Sequence, residues 1–500
     1  MKRQDNRIYI DAIKMVGLIV LSMALCRFTN GIFALVVASI GIFCALMQKI
    51  GPAICCYVFL PLCIVTNPIL IPKGGAVWSI ALRFGPLAIG CALAIGAVRR
   101  TGRHALPFAG IIPFLLVAIV SSIGGYVPQI SYLKLINYFV FLIGIWLGTR
   151  NMQHFPKDLQ IIRAFFLGMI FLWVWGSLAL IPMPAVSYAT SLRYLGDGID
   201  FDSVNALGKE MLAAGGKTLF CGVTNHSQAL SPVLALSMGW LLCDMLFFEK
   251  RFRLPHVITI VAMLPMLYMT RSRVALLTGA SVMAILNFYT VNRVRVSSRV
   301  KGRLRTGMIG FCLLAMALAG VAEIRDQSIT KWIRKTDDLA MDERSTAEAL
   351  TGSRQSLMEE SLYDFRRNPL WGSGFQVSWN HIELYRQTRG LILSASIEKG
   401  VLPVMVLGET GIIGSIAFVV FLLSFYLTCN KRRLYVTSTM FTLLLVSNMG
   451  EATFFSPGGT GGVLWILTVL GGFVIDTVLL YERTVMGRQS TQPFSPARYG

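Results

Sequence analysis

Residues 401–428 read VLPVMVLGETGIIGSIAFVVFLLSFYLT, an apolar run with one charged residue, Glu409. A bilayer core about 30 Å thick needs roughly 20 apolar residues per helix, so this run is long enough to cross it. The whole chain has the same character, because 55% of its residues are hydrophobic and only 14% are charged. A soluble domain carries roughly a quarter charged residues. With a mean hydropathy of +0.63, most of the chain is expected in lipid, which excludes a disordered chain and a disulfide-rich secreted domain.

Thirteen further apolar runs occur along the chain. Several are short or adjoin one another, so we predict about 12 to 14 transmembrane helices. The predicted fold class is therefore an all-α polytopic membrane protein of transmembrane helices with a large helical loop on the outer side. The thirteen runs lie near residues 9–26, 31–48, 52–71, 77–97, 107–124, 131–148, 161–182, 223–247, 256–270, 273–291, 305–322, 434–449 and 461–481.

The placement of charge predicts the orientation of the chain. It has 46 basic and 25 acidic residues, and from the N-terminus onward the basic ones concentrate in every second gap between runs. Cytoplasmic loops show this enrichment. The long loops 183–222 and 323–400 hold 16 acids and 14 bases, so the rest of the chain carries +23. We therefore expect both termini in the cytoplasm, both long loops outside, and no nucleic-acid partner.

The predicted organisation has six parts. Loop 323–400 combines mixed charge with three tryptophans, which indicates a small folded domain because long loops without a function are uncommon. Within it, 353–367 has the periodicity of a helix. The parts are N-terminal transmembrane helices at 1–182, a first outer loop at 183–222, central transmembrane helices with an arginine-bearing outer turn at 223–322, the large outer loop at 323–400, C-terminal transmembrane helices at 401–481 and a cytoplasmic tail at 482–500.

Three arginines are candidates for anion binding. Arg271 and Arg273 lie in a short outer turn between two predicted spans. Arginine there is costly unless it is paired or functional, and its planar fork binds phosphate oxygens with two hydrogen bonds. Snorkelling to the interface is the alternative. Arg354 precedes Asn368-Pro369, which ends a helix, and Gly372-Ser373-Gly374, which permits tight turns. A solvated helix face is the alternative for this segment.

Three acidic residues are candidates for chemistry or structure. Glu398 lies at a predicted membrane boundary, where desolvation raises a carboxyl pKa towards general-base function, although an interfacial pair with Lys399 is equally compatible. Glu409 and Glu451 lie inside apolar runs and are expected to face the bundle interior, with a structural salt bridge as the simpler interpretation. The stretch 458–462 opens the last span either as a flexible turn or as an anion cradle. No metal-ligand spacing occurs, so we expect neither a metal nor a cofactor.

In their order along the chain, these segments resemble the O-antigen ligase / O-antigen polymerase superfamily of bacterial envelope enzymes. The matching segments are Thr224–Ala229, Ser272–Leu277, Gly352-Ser353-Arg354, Asn368–Phe375 and Glu409-Thr410-Gly411, within roughly 220–415. The resemblance implies a metal-independent glycosyltransferase of the bacterial inner membrane. It implies action at the periplasmic face on glycans carried by undecaprenyl diphosphate. Arg273 and Arg354, with Arg271 beside them, would hold that diphosphate.

One position departs from the ligase pattern. Ligases of this superfamily carry a histidine eleven residues before the glycine that corresponds to Gly411, whereas this chain has Gly400 there. The departure favours a polymerase of O-antigen or exopolysaccharide over a ligase that transfers glycan to lipid A core. Glu398 is close enough in sequence to replace the missing base, and His381 is the second candidate.

The predicted reaction transfers a glycan from its lipid diphosphate to an acceptor hydroxyl. The expected partners are the undecaprenyl-diphosphate-linked glycan and an acceptor glycan or glycolipid, with a flippase and a chain-length regulator as possible further partners. A membrane transporter of a lipid-linked sugar or a small anion is the alternative from another class. Such a carrier should show two related halves with discontinuous helices, and the sequence shows no such symmetry.

Overall fold

The computed structural model describes residues 2–67, 70–71, 76–100, 104–187, 220–245, 253–270, 272, 346–377, 400–450, 452–457 and 459–490. The predicted spans near 273–291 and 305–322 and large parts of both long loops lie outside these residues. The helices are α1 (Lys2–Phe28), α2 (Ile32–Leu46), α3 (Ile50–Val65), α4 (Ala76–Val98), α5 (Ile112–Ile123), α6 (Pro128–Gly148), α7 (Pro156–Phe171), α8 (Ser227–Cys243), α9 (Leu254–Met269), α10 (Thr346–Arg367), α11 (Leu402–Arg432), α12 (Tyr435–Ser447), α13 (Thr460–Trp465) and α14 (Gly471–Ser490).

The helices form a bundle with an apolar outer surface. In the described part of the chain, six helical segments are long and apolar enough to cross a membrane, and six shorter ones are also apolar. Two of the long segments continue through π-helical turns, Leu172–Gly176 after α7 and Ile466–Leu470 between α13 and α14. Large side chains point outward, with Phe28 81% and Leu427 69% exposed. Lipid is the solvent for such a surface, and the predicted all-α membrane fold is confirmed.

Two helices are shorter than the sequence predicted. The runs 52–71 and 223–247 were expected to be helical throughout, but α3 ends at Val65 and α8 begins at Ser227. The segments beyond these ends pair with each other: the Asn67 amide donates to the Val223 carbonyl at 2.8 Å, and the Asn225 amide donates to the Val65 carbonyl at 2.8 Å. These contacts satisfy backbone groups that helix continuation would otherwise satisfy.

Loop segments, most of which were predicted to lie outside, meet at one end of the bundle. We call this the loop end and define it as residues 66–67, 70–71, 124–127, 220–226, 368–377, 400–401, 448–450, 452–457 and 459. The Tyr126 amide donates to the Ser373 carbonyl at 3.1 Å, and the Ala452 amide donates to the Gly400 carbonyl at 3.1 Å. Four loops that are distant in sequence are thus joined by backbone hydrogen bonds.

Two loop-end segments insert aromatic rings between the helices. Phe375 and Phe455 are both fully buried, and their ring centroids are 5.3 Å apart. Tyr138 of α6 packs against Phe455 at 5.2 Å and against Phe375 at 6.0 Å. Irregular backbone is tolerated at membrane depth only where protein buries it or where it lines a cavity. The insertion therefore fixes both loops against α6.

A buried polar cluster joins helices at the opposite end. Asp244, just after α8, accepts hydrogen bonds from Arg163 of α7 at 2.8 and 2.9 Å. His256 Nε2 of α9 lies 3.1 Å from the same carboxylate, and the Tyr9 hydroxyl oxygen lies at hydrogen-bond distance, 2.8 Å, from His256 Nδ1. Because a buried charge is stable only when it is paired and hydrogen-bonded, this cluster ties α1, α7, α8 and α9 together.

Candidate functional site

Helix α11 is broken at Gly411. This residue has φ 64° and ψ −164°, which is outside the helical region. The segment after α10 lies in the break: the amides of Ser373 and Gly374 donate to the carbonyls of Gly408 and Glu409, at 2.9 and 3.0 Å. On the other side of the break, the Ile412 amide donates to the Pro369 carbonyl at 2.9 Å. The Asn-Pro-Leu-Trp-Gly-Ser-Gly-Phe motif is therefore held backbone to backbone inside a transmembrane helix.

Only glycine fits at the centre of this contact. A Cβ on Gly411 would lie 2.3 Å from the carbonyl oxygen of Leu370, and a Cβ on Gly372 would lie 2.4 Å from the carbonyl carbon of Glu409. Backbone atoms cannot move aside as a flexible side chain can. The sequence indicated tight turns at Gly372 and Gly374, and the positive φ angles of both confirm them.

Helix α10 lies across the first part of α11. The Ser361 carbonyl would lie 2.6 Å from a Cβ on Gly408, so the two helices are in close contact. The Tyr126 hydroxyl, between α5 and α6, donates to the buried carboxylate of Asp364 at 3.0 Å. Burial, and next the negative charge of Asp364, raise the pKa of Tyr126 to about 12. The helix predicted over 353–367 is confirmed, and it docks on the membrane bundle.

Arg354, Glu398 and Glu451 each lie within three residues of a described residue, and these described residues meet at Gly400. Arg354 lies one helical turn before Leu357, and a Cβ on Gly400 would lie 3.3 Å from the Cβ of Leu357. Glu398 precedes Gly400 by two residues, and the Gly400 carbonyl accepts from the Ala452 amide. Ala452 follows Glu451 in the chain. The contact Leu357–Gly400–Ala452 thus joins the three segments that carry these predicted residues.

A small cavity with several hydroxyl groups adjoins these segments. Its lining includes Ser231 of α8, Ser272 and Thr453. Ser231 is fully buried, and its Oγ has no hydrogen-bond partner among the described residues. Thr460, the first residue of α13, also lines the cavity. The remaining lining residues are Pro232, Ser447 and Leu464.

Most of the predicted site residues lie outside the described residues. This holds for Arg271, Arg273, His381, Glu398 and Glu451, whose roles stay predictions, and for the side chain of Arg354. Ser272, the described residue between the two arginines, is 7% exposed and lines the hydroxyl cavity.

Glu409 and His226 are described residues. Glu409 is 1% exposed, which confirms that it faces the bundle interior. The Ser121 hydroxyl donates to its backbone carbonyl at 2.6 Å. His226 caps α8, with Nδ1 accepting from the Gln228 amide at 2.9 Å, as expected for a polar residue at a helix start.

Sequence reasoning missed Lys134 of α6. Its side chain is 2% exposed, and its ammonium donates to the Gln376 carbonyl at 3.0 Å. The Gln376 side-chain amide in turn donates to the Phe455 carbonyl. The signal was present, because a lysine inside an apolar run is a functional or structural candidate by its cost alone. Its partner could not be found from sequence, since residues 134 and 376 are 242 positions apart.

The fold and the loop end define a polytopic helical membrane protein with a polar site where its loops converge. Residues 258–419 match the family described as O-antigen ligase, which supports membership of the O-antigen ligase / O-antigen polymerase superfamily and confirms the resemblance drawn from the motifs. The family implies a glycosyltransferase-like enzyme with a lipid-linked glycan substrate and an acceptor glycan. No curated protein resembles the chain closely enough to count as a match.

Proposed function

We propose that this chain is a polymerase of O-antigen or exopolysaccharide that works at the periplasmic face of the bacterial inner membrane. The observation that supports the proposal is the convergence of the chain segments that carry the predicted residues. Gly400 is in contact with both Leu357 and Ala452, and Thr453 and Ser272 line the adjoining cavity.

In the proposed reaction an acceptor sugar hydroxyl attacks the anomeric carbon of a lipid-linked glycan. A glycosidic C–O bond forms, the bond from the anomeric carbon to the diphosphate oxygen breaks, and the lipid diphosphate leaves with the bonding electron pair. Glu398 takes the proton of the attacking hydroxyl. Arg271, Arg273 and Arg354 stabilise the charge that develops on the diphosphate. The energy of the lipid–diphosphate linkage drives the transfer.

The glycine at position 400, where ligases carry a histidine, favours a polymerase over the alternative, an O-antigen ligase. Gly400 has φ 78°, in the left-handed region that favours glycine. A side chain there would also press on Leu357, because a Cβ would lie 3.3 Å from the Leu357 Cβ. The base that ligases carry at this position is therefore replaced by another residue, and we assign that role to Glu398 two positions earlier.

The arginine assignment is tested with the purified full-length chain in nanodiscs supplied with isoprenyl-diphosphate-linked oligosaccharide. Wild type should produce a ladder of polymers, and Arg273→Ala and Arg354→Ala should each abolish it. Arg366→Ala is the matched control, because Arg366 is an exposed arginine on the same helix as Arg354. Long-chain product from either test variant would overturn the assignment. Translocation of the substrate without new glycosidic bonds would instead indicate a transporter.

The base is tested in the same assay. Glu398→Gln should lower the rate by roughly 10²- to 10⁴-fold, the usual contribution of a general base. Glu359→Gln is the control, since Glu359 is an exposed acid on α10. An unchanged rate in Glu398→Gln combined with a large loss in His381→Asn would move the role to His381.

A further inference from the structure

The lipid-facing surface of α11 begins at the break of this helix. Before Gly411, the apolar residues Leu402, Met405 and Val406 are buried. After the break, large apolar side chains point outward with the spacing of one helical face. They are Ile412, Ile416, Val419, Val420, Leu423 and Leu427. A continuous exposed apolar face on a membrane helix is a lipid contact surface.

The length of this face places the break at a boundary of the membrane core. Lys431 is the first basic residue in the last turn of α11. From Ile412 to Lys431 the helix is about 28 Å long, at 1.5 Å per residue, and the hydrocarbon core of a bilayer is about 30 Å thick. With Lys431 at one boundary of the core, Ile412 therefore lies at the opposite boundary, on the side of the loop end.

Helix α10 runs beside the first part of α11 towards this boundary. Three contacts follow one another in the same order along both chains: Leu357 with Gly400, Ser361 with Gly408, and Leu370 with Gly411. The end of α10 and the turn after it are therefore closer to the membrane core than the beginning of the helix.

The outward face of α10 changes its character along this path. Ser356 is exposed and polar, whereas Tyr363, Leu370 and Trp371 are 48%, 56% and 37% exposed. The guanidinium carbon of Arg367 lies 5.7 Å from the centroid of the Tyr363 ring. We call Tyr363, Arg367, Leu370 and Trp371 the boundary patch.

The boundary patch has the composition of a membrane–water interface. Tryptophan and tyrosine are enriched there because their rings are amphipathic, and arginine can bury its aliphatic stem while its charge stays among polar groups. The patch is also continuous with the lipid-facing side of α11. The amides of Ile412 and Ile413 donate to the carbonyls of Pro369 and Leu370, at 2.9 and 3.4 Å.

We propose that the boundary patch is a membrane anchor, which inserts the end of α10 and the turn after it into the lipid leaflet on the side of the loop end. Tyr363 and Trp371 lie among the headgroups, Leu370 contacts acyl chains, and Arg367 faces phospholipid phosphates. The anchor holds the 368–377 turn between the bilayer and the break in α11. It does not depend on the proposed polymerase function.

The anchor is tested by tryptophan quenching with the full-length chain in nanodiscs of phosphatidylcholine that is brominated on its acyl chains. The emission of Trp371 is the difference between wild type and Trp371→Phe. Bromine near the headgroup should remove most of this emission, bromine near the chain end should remove less, and aqueous iodide should remove little. Tyr363→Trp, measured as the emission added to wild type, should give the same pattern, and it is informative even where Trp371→Phe fails to fold.

Ser356→Trp is the matched control. Ser356 is exposed on the same face of α10, and it lies seven residues before Tyr363, about 10 Å further from the boundary. The emission that this variant adds should be quenched by iodide and not by bromine.

Two outcomes would overturn the proposal. Quenching of the folded test variants by iodide but not by bromine would mean that the patch faces water. Emission that neither quencher reaches would mean that protein, such as a second copy of the chain, covers the patch.

Discussion

Replacing Gly411 by alanine should detach the inserted turn from α11. The backbone at this position lies in a region that is essentially restricted to glycine, and occupying it with another residue costs about 1–3 kcal/mol. The new Cβ would lie 2.3 Å from the Leu370 carbonyl oxygen, so the turn must move out. The three backbone hydrogen bonds across the break, from Ser373, Gly374 and Ile412, contribute about 1 kcal/mol each.

The expected total is roughly 4–6 kcal/mol, a large part of the 5–15 kcal/mol that stabilises a typical domain. Because alanine favours a regular helix, α11 should keep its helicity while segment 368–377 becomes accessible. Limited proteolysis of that segment and thermal unfolding in detergent would measure both effects, and glycan transfer should be lost. Gly124→Ala is the control: Gly124 also lies at the loop end, has φ −90°, and a Cβ there would meet nothing within 4 Å. Wild-type protease resistance and melting temperature in Gly411→Ala would refute this reasoning.

Three further predictions concern single contacts. Because the pKa of Tyr126 is raised to about 12, above its ordinary value near 10, docking of α10 should be intact below about pH 10 and weaken as the pH rises towards 12. Proteolysis measures the docking of α10. In the Tyr126→Phe variant, the resistance of α10 to proteolysis should not change over this pH range. Ser231→Ala should leave the melting temperature unchanged or raise it, because it removes a buried hydroxyl without a hydrogen-bond partner among the described residues. If the cavity that Ser231 lines binds substrate, the same variant should lower the rate of glycan transfer. Asp244→Leu should destabilise the fold by about 3–5 kcal/mol, because Arg163 stays buried without the carboxylate that binds it. The double variant Asp244→Leu/Arg163→Met should recover most of that loss. An unfolding assay measures both effects.

The sequence by itself determined the class of the fold and several local features. Composition and run length require a helical membrane bundle, because only closed backbone hydrogen bonding is stable in lipid. The helix at 353–367, the turns at Gly372 and Gly374 and the cap at His226 were also predictable, since each depends on neighbours within a few residues. The motifs around Gly411 were enough to indicate the family, although not what the motif glycines contact.

The tertiary structure decided which distant segments meet. The pairing of the 368–377 turn with the break in α11, the burial of Asp364 under Tyr126 and the bond from Lys134 to Gln376 join residues that no local pattern connects. Hydropathy specifies that a segment enters the membrane, but most apolar side chains suit lipid and protein neighbours equally. The partner of each helix is therefore selected by close backbone packing and by polar groups that must find one another inside the bundle.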